Sequence, residues 1–323
     1  MELIKSKKGI VFTVLSIVIA IFFTVLFSAR IEKPIDYKTT LVETRIGVLN
    51  NYMNDFFEYA KGMSSITAYS SFQGLLEDMS NTSSYNPDFE NQSLHCVITG
   101  NLTSSKICPG MANKTLTYSL NRIRDIADNE LNINSDYTIN NITLNQTINA
   151  FTIEITTNLS LDIYDEYANL SDTRTVVSLV SIDGLLDPLY LVNGTYNQTI
   201  KKTSLKRKQG DWNHSDLQQL YYNHEYRNYR QGISFINRIK GNFVPDVFGI
   251  ESFVNHTNVT YDENDTMVDY LYWRRIKFSC RNPARVVEIN DTLISPAGFQ
   301  LDEVHRLGFS VSSMYTDFTC PQT

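Results

Sequence analysis

Residues 151–163 read FTIEITTNLSLDI. The odd positions are Phe151, Ile153, Ile155, Thr157, Leu159, Leu161 and Ile163, whereas the even ones are Thr152, Glu154, Thr156, Asn158, Ser160 and Asp162. Successive side chains of a strand point to opposite faces, so this alternation predicts a half-buried antiparallel strand with Asn158 on its wet face. The turn-forming Asn169-Leu170-Ser171-Asp172 then leads into Thr173–Ile182, whose Val and Thr content predicts a partner strand. Upstream, Leu116, Leu120, Ile123 and Ala127 mark an amphipathic helix, preceded by a loop-rich stretch from Ser80 to Gly110. Downstream, the pattern predicts a helical stretch over 217–239 and short strands near Val259, over 271–280 and over 285–289. The fold class expected is α+β, a mostly antiparallel sheet with helices.

Further toward the N-terminus, Val42, Ile46, Leu49, Met53, Phe56, Ala60 and Met63 recur at spacings of four and three, an a/d seam over three heptads. Such a seam suits a coiled coil or bundle contact with a second copy, and equally a helix packed on the chain's own sheet. Gly47, Gly62 and Gly74 lower the intrinsic propensity of this helix, so packing has to stabilise it. Pro34 interrupts any helix that enters it from the N-terminal side.

Residues 10–27, IVFTVLSIVIAIFFTVLF, carry no charge. Eighteen residues of helix rise about 27 Å, close to a bilayer core. Their apolar positions give an insertion free energy on the order of −4 to −8 kcal/mol. Lys5, Lys7 and Lys8 precede this stretch, which predicts a cytoplasmic N-terminus. The organisation expected is a basic leader over 1–9, a transmembrane helix over 10–29, a helical stalk over 30–80 and an extracellular α+β domain over 81–323 with a sub-boundary near 190. The expected location is the cell membrane, as a single-pass protein.

Fifteen Asn-x-Ser/Thr acceptors follow, at Asn81, Asn91, Asn101, Asn113, Asn141, Asn145, Asn158, Asn169, Asn193, Asn197, Asn213, Asn255, Asn258, Asn264 and Asn290. The composition alone would supply roughly five, and an acceptor matters only outside the cytoplasm. The four cysteines, Cys96, Cys108, Cys280 and Cys320, lack CxxC spacing. They allow three disulfide connectivities, of which proximity favours Cys96 with Cys108 and Cys280 with Cys320.

The chain has 323 residues, a net charge of −7 and only one basic run, Lys201, Lys202, Lys206, Arg207 and Lys208, which reads as a solvated loop and not as a nucleic-acid surface. His95, His214, His224, His256 and His305 form no metal-binding pair at helical spacing, and the GxSxG, GxxxxGK[ST] and GxGxxG motifs are absent. Asp162, Asp165 and Glu166 offer carboxylates for glycosidase-type acid/base work, but sit where a solvated strand end is expected. The aromatics Tyr221, Tyr222, Tyr226, Tyr229, Tyr270, Tyr272 and Trp273 suit either core packing or a surface for sugar or protein, with Tyr222, Tyr226 and Tyr229 at helical spacing. The expectation is a protein that is not an enzyme and uses no cofactor or metal.

The leader Lys7-Lys8-Gly9 followed by IVFTVLSIVIAIFF resembles archaeal type IV pilin-like proteins. That resemblance implies cleavage between Gly9 and Ile10, a long first helix carrying a sheet-bearing head, and assembly with itself or with other pilin-like subunits through that helix. Bacterial pilins carry a glutamate five residues after the cut, where this chain has Val14. Three further segments, 180–190 (VSIDGLLDPLY), 234–238 (SFINR) and 249–252 (GIES), resemble uncharacterised archaeal membrane-anchored surface proteins, a likeness that implies no reaction. The function expected is a non-enzymatic surface glycoprotein, a component of a surface filament. The alternatives are a tethered receptor or adhesin with an unidentified ligand and, more remotely, an extracellular hydrolase or glycosyltransferase.

Overall fold

The computed structural model describes residues 16–21, 37–193, 198–208, 211–253, 265–276, 286–289, 299–310 and 315–317. Its dominant element is α1 (Tyr37–Thr82), 46 residues long, which corresponds to about 69 Å of helix. The seam residues Leu49, Met53, Phe56 and Ala60 are buried, and the stripe continues through Phe57, Ala68, Phe72, Leu75, Leu76 and Met79. These side chains share one hydrophobic cluster with the strands described below, so the seam is an intramolecular contact. Each fully buried Phe contributes roughly 2–3 kcal/mol of transfer free energy. Three buried positions of α1, Ser64, Thr67 and Ser71, are small and polar. The Ser64 hydroxyl donates to Ala60 O at 2.8 Å, and that of Ser71 donates to Ser93 O at 3.1 Å.

No helix among the described residues is long and apolar enough to cross a membrane. This overturns the expected transmembrane helix, and with it the single-pass membrane location. Of the apolar stretch, only residues 16–21 are described as helix; the leader 1–9, the Gly9–Ile10 bond and the rest of the expected span lie outside the described residues. The long helix that is described is amphipathic, carrying Glu43, Arg45, Asp55, Glu58, Lys61, Glu77 and Asp78. It is laid along a sheet, not held away from it as a stalk.

That sheet is an antiparallel meander of β3 (Asn134–Asn149), β4 (Thr152–Tyr164) and β5 (Asn169–Ser181), in the order β3-β4-β5. In the central strand Ile153, Ile155, Thr157, Leu159, Leu161 and Ile163 are fully buried beneath α1, as the alternation predicts. The side chains between them are partly exposed, Asn158 included. Two details differ from expectation. Asn169–Asp172 opens the strand and does not form the turn, since Asn169 already pairs with Tyr164 and Ser171 with Asp162. The 16-residue β3 has no clean alternation, because a register shift between Ile139 and Asn141 moves its side chains from one face to the other.

The stretch expected to be loop-rich contains a helix, α2 (Phe89–Thr99), and a small hairpin of β1 (Asn101–Thr103) and β2 (Lys106–Ile107). Gly100 ends α2 in the left-handed region at φ 78°. Cys96 and Cys108 are disulfide-bonded, with Cα atoms 5.8 Å apart, whereas Cys280 and Cys320 lie outside the described residues. The bridged loop presses on α1 so closely that a Cβ at Gly74 would lie 2.4 Å from Pro109 O. The amphipathic helix predicted from Leu116 is α3 (Leu116–Leu131), with Thr115 as its N-cap accepting from Tyr118 N.

The stretch 217–239, expected to be helical throughout, divides into α5 (His214–Asn223), β6 (Tyr226–Ile233) and α6 (Phe235–Lys240), after a short α4 (Pro188–Val192). The break is at His224, whose φ of 53° ends α5. Tyr222 is therefore exposed on a helix, whereas Tyr226 and Tyr229 are buried on a strand, and the three form no common stripe. β6 pairs with β7 (Ile250–Ser252). Gly232 and Gly249 allow that approach, since a Cβ on Gly249 would meet Gly232 O at 2.3 Å. Residues 270–276 form α7 (Tyr270–Ile276) where a strand was expected. β8 (Val286–Ile289) agrees with expectation and pairs with β9 (Gln300–Asp302) and β10 (Tyr315–Asp317), while α8 (Glu303–Gly308) follows β9 directly. Val259 lies outside the described residues.

Candidate functional site

Three hydrophobic clusters meet around a set of buried charges. At its centre is Arg238 on α6, fully buried. Its Nη1 donates to Asp187 Oδ2 at 2.7 Å and to Asp269 Oδ1 at 3.3 Å. Nη2 donates to Ile250 O at 2.5 Å and also to Asp269 Oδ2. The two carboxylates collect neutral donors as well. Tyr226 OH donates to Asp187 at 2.8 Å, and Tyr190 OH and Ser252 Oγ donate to Asp269 at 3.1 and 3.0 Å. Asp187 also caps α4, accepting from Leu189 N at 2.9 Å.

Burial disfavours a charged Arg238, but the adjacent Asp187 and Asp269 outweigh it and raise its pKa, so the guanidinium stays charged. Burial raises the pKa of Asp269 more than Arg238 lowers it. Burial likewise pushes the Tyr190 and Tyr226 phenols well up. These hydroxyls are held as donors.

A second buried set begins one residue further along β7. Arg227 on β6 stands directly across from Glu251 and donates to it through Nε. His305 on α8 donates from Nε2 to Glu251 Oε2 at 3.0 Å and from Nδ1 to Asp302 Oδ2 at 2.5 Å. Asp302 is also the N-cap of α8, accepting from His305 N at 3.0 Å. Burial opposes a charged imidazole, but the Asp302 and Glu251 carboxylates prevail and His305 is pushed up to about 10. Burial raises and the cations lower the two acids, and both end below the ordinary carboxylate range. His305 is therefore an imidazolium with both N–H groups donated, which leaves it no lone pair for base catalysis.

The segments 180–190, 234–238 and 249–252 converge here. Asp187 and Tyr190 come from the first, Arg238 from the second, Glu251 and Ser252 from the third. Asp187, directly before Pro188, is a buried ionic helix cap. Sequence reading missed this set because its partners lie 31, 51 and 54 positions apart.

The carboxylates considered for acid/base work are elsewhere, at the turn between β4 and β5. Asp165 accepts from Arg45 Nε at 2.9 Å, and this bond holds its carboxyl below the usual range, unsuited to donating a proton. Asp162 accepts from the Ser171 hydroxyl, and Glu166 is exposed. Among the described residues no three His, Cys, Asp or Glu side chains are arranged to hold a metal ion.

Of the glycan acceptors, Asn81, Asn91, Asn113, Asn141, Asn145, Asn169, Asn193 and Asn213 are exposed and Asn101 and Asn158 partly so. The acceptors Asn197, Asn255, Asn258, Asn264 and Asn290 lie outside the described residues. The basic run expected to be a solvated loop has a more specific place. Lys202 and Arg207 line a cleft of about 330 Å³ together with Arg227 and Arg230. A comparison of the chain with protein-family models, curated proteins and solved structures gives no match in any of the three.

Proposed function

We propose that this chain is a non-enzymatic, disulfide-bonded and N-glycosylated subunit of a pilin-like filament, assembled through its N-terminal helical region with copies of itself or related subunits. The observation that supports this reading most is the 46-residue α1 laid along the antiparallel sheet β3-β4-β5. The arrangement is a long helix carrying a sheet-bearing head, as the resemblance of the leader implies. The Cys96–Cys108 bridge suits an oxidising compartment, and acceptor asparagines on the surface are where glycans would be tolerated. The buried ionic sets suit a structural role, because their acids, arginines and histidine are bonded to one another.

Electron microscopy of the native material, with N-terminal sequencing of the same preparation, tests the reading. Filaments containing this chain, beginning at Ile10, are expected. An intact Met1 together with dispersed, unassembled particles would remove it.

A further inference from the structure

We propose that the cleft formed by residues 202–207, Trp212, β6 and the β3–β4 turn binds a small anionic organic ligand: one carboxylate, sulfate or phosphate group on a monosaccharide-sized body. The proposal is independent of filament assembly, since it rests on the cleft alone. Lys202, Arg207, Arg227 and Arg230 line the cleft, and among the described residues no carboxylate does. This is a local excess of positive charge on a chain whose net charge is −7. Its volume of about 330 Å³ lies at the lower end of the roughly 300–1,000 Å³ of small-molecule pockets. A single sugar-sized body suits that space better than an extended oligomer.

The four cations differ in how far they are already used. Arg207 is neutralised, its Nε and Nη2 both donating to the buried Asp216. Arg227 is only partly used. Its side chain is 4% exposed, its Nε serves Glu251, and its terminal nitrogens make no hydrogen bond among the described residues. The guanidinium is fixed by rings, 4.2 Å from Phe309, 4.8 Å from Trp212 and 5.2 Å from Tyr229. A buried, immobilised guanidinium with its outer fork open on a cleft wall is a pre-organised donor for a planar or tetrahedral oxyanion.

Lys202 and Arg230 supply charge that is not cancelled. Neither side chain has a carboxylate partner among the described residues, the neighbouring Lys201 being the one that faces Glu225. Lys202 is placed by its backbone, whose N–H donates to Asp183 at 2.8 Å, and its ammonium lies 5.5 Å from the Phe151 ring. Phe151 and Trp212 give the cleft two aromatic walls against which the apolar face of a ring-shaped ligand can lie. Anion fork, two free cations and aromatic walls together specify charge and size.

The test is calorimetric titration of the full chain with glucuronate, glucose 6-sulfate and glucose 6-phosphate as acidic probes, against glucose and inorganic sulfate. At least one acidic sugar should bind at a single saturable site, about tenfold or more tighter than glucose, and should weaken as salt is raised. Which acidic probe binds best distinguishes carboxylate from sulfate and phosphate. The variant Lys202→Gln/Arg230→Gln removes two exposed cations and should keep the parent's circular dichroism and urea midpoint while losing about tenfold or more in affinity. Arg227 is left intact, since removing it would strand Glu251. Equal affinity for glucose and the acidic sugars, inorganic sulfate binding as tightly as any of them, unchanged affinity in the double variant, or no saturable binding by any probe overturns the assignment.

Discussion

Replacing Arg238 by Met keeps most of the aliphatic stem and removes only the guanidinium, and so isolates the contribution of the central charge. Asp187 and Asp269 would then be left 0% exposed with neutral donors alone, and Ile250 O would lose its 2.5 Å partner. Breaking a buried pair from one side costs about 3–5 kcal/mol. One guanidinium serves two carboxylates here, so the loss in Arg238→Met should be at least about 4 kcal/mol, a large part of the roughly 5–15 kcal/mol that holds a typical domain folded. The assay is equilibrium urea unfolding followed by tryptophan fluorescence. Both tryptophans, Trp212 and Trp273, lie in the hydrophobic clusters beside the buried charges. The pH dependence gives a second readout. Burial already raises the Asp269 pKa with Arg238 in place; without the guanidinium it rises further above its unfolded value, so the folded form binds more protons. The deficit should be greatest at neutral pH and shrink as the solution is acidified toward pH 4. Adding Asp187→Asn and Asp269→Asn should recover more than half of the loss. A loss below about 1 kcal/mol, a deficit indifferent to pH, or a triple variant no more stable than Arg238→Met would refute the reasoning.

The His305 set predicts a loss of stability on the alkaline side. Because the folded-state pKa of about 10 exceeds the ordinary 6.5, the contribution is complete below pH 6.5 and is lost as pH rises toward 10, by up to about 5 kcal/mol. Thermal midpoints across this range should fall in the parent and much less in His305→Gln; parallel curves would count against the imidazolium. Glu251 and Asp302, whose pKa values are lowered, contribute stability that is lost as pH falls through their folded-state values, so the optimum lies between the two windows. Converting Cys96 and Cys108 to serine should lower stability by about 3 kcal/mol in the chain-entropy account, measured by urea unfolding without reductant. On α1, Gly47→Ala should stabilise by about 0.5–1 kcal/mol, because nothing lies within 4 Å of its new Cβ. Gly74→Ala should destabilise by about 1–3 kcal/mol against Pro109 O. Opposite signs in the two melting curves are the required result.

What the sequence discloses follows from the range of the forces involved. Strand β4 is legible because one face is dry and the other wet, and the seam of α1 is legible because its apolar residues keep helical spacing along a single stripe. Strand β3 is obscured by polar residues on both faces and by the shift at Ile139. Helix α2 is masked by an acceptor asparagine, a cysteine and its turn-rich surroundings. Tyr226 and Tyr229 have the right spacing for a helix, but the left-handed His224 places them on a strand. Residues 270–276 favour a strand by composition, yet tertiary packing makes them helical. The apolar run near the N-terminus has spanning length and hydropathy by sequence, whereas the helices described in the fold are amphipathic or short. The ionic sets and the cation-lined cleft are the least legible, because nothing local records which arginine will meet which acid. The run 201–208 supplies a signal for the cleft only in retrospect, through the partners that β6 brings to it.

The way α1 is fastened along the sheet has a mechanical meaning. Arg45 ties the helix to Asp165 and to the carbonyls of Leu131 and Asn132, and the buried stripe begins at Leu49. Residues 37–44 carry the helix roughly 12 Å further from Arg45 toward its N-terminal end. A tension applied along the axis of α1 runs parallel to the face between helix and sheet. It loads the Arg45 clamp and the whole stripe from Leu49 to Met79 at once, in shear, instead of peeling contacts away one after another. A pull across the axis would meet one contact at a time. The head is built to bear load in the direction of its own longest helix and to yield when that helix is levered sideways.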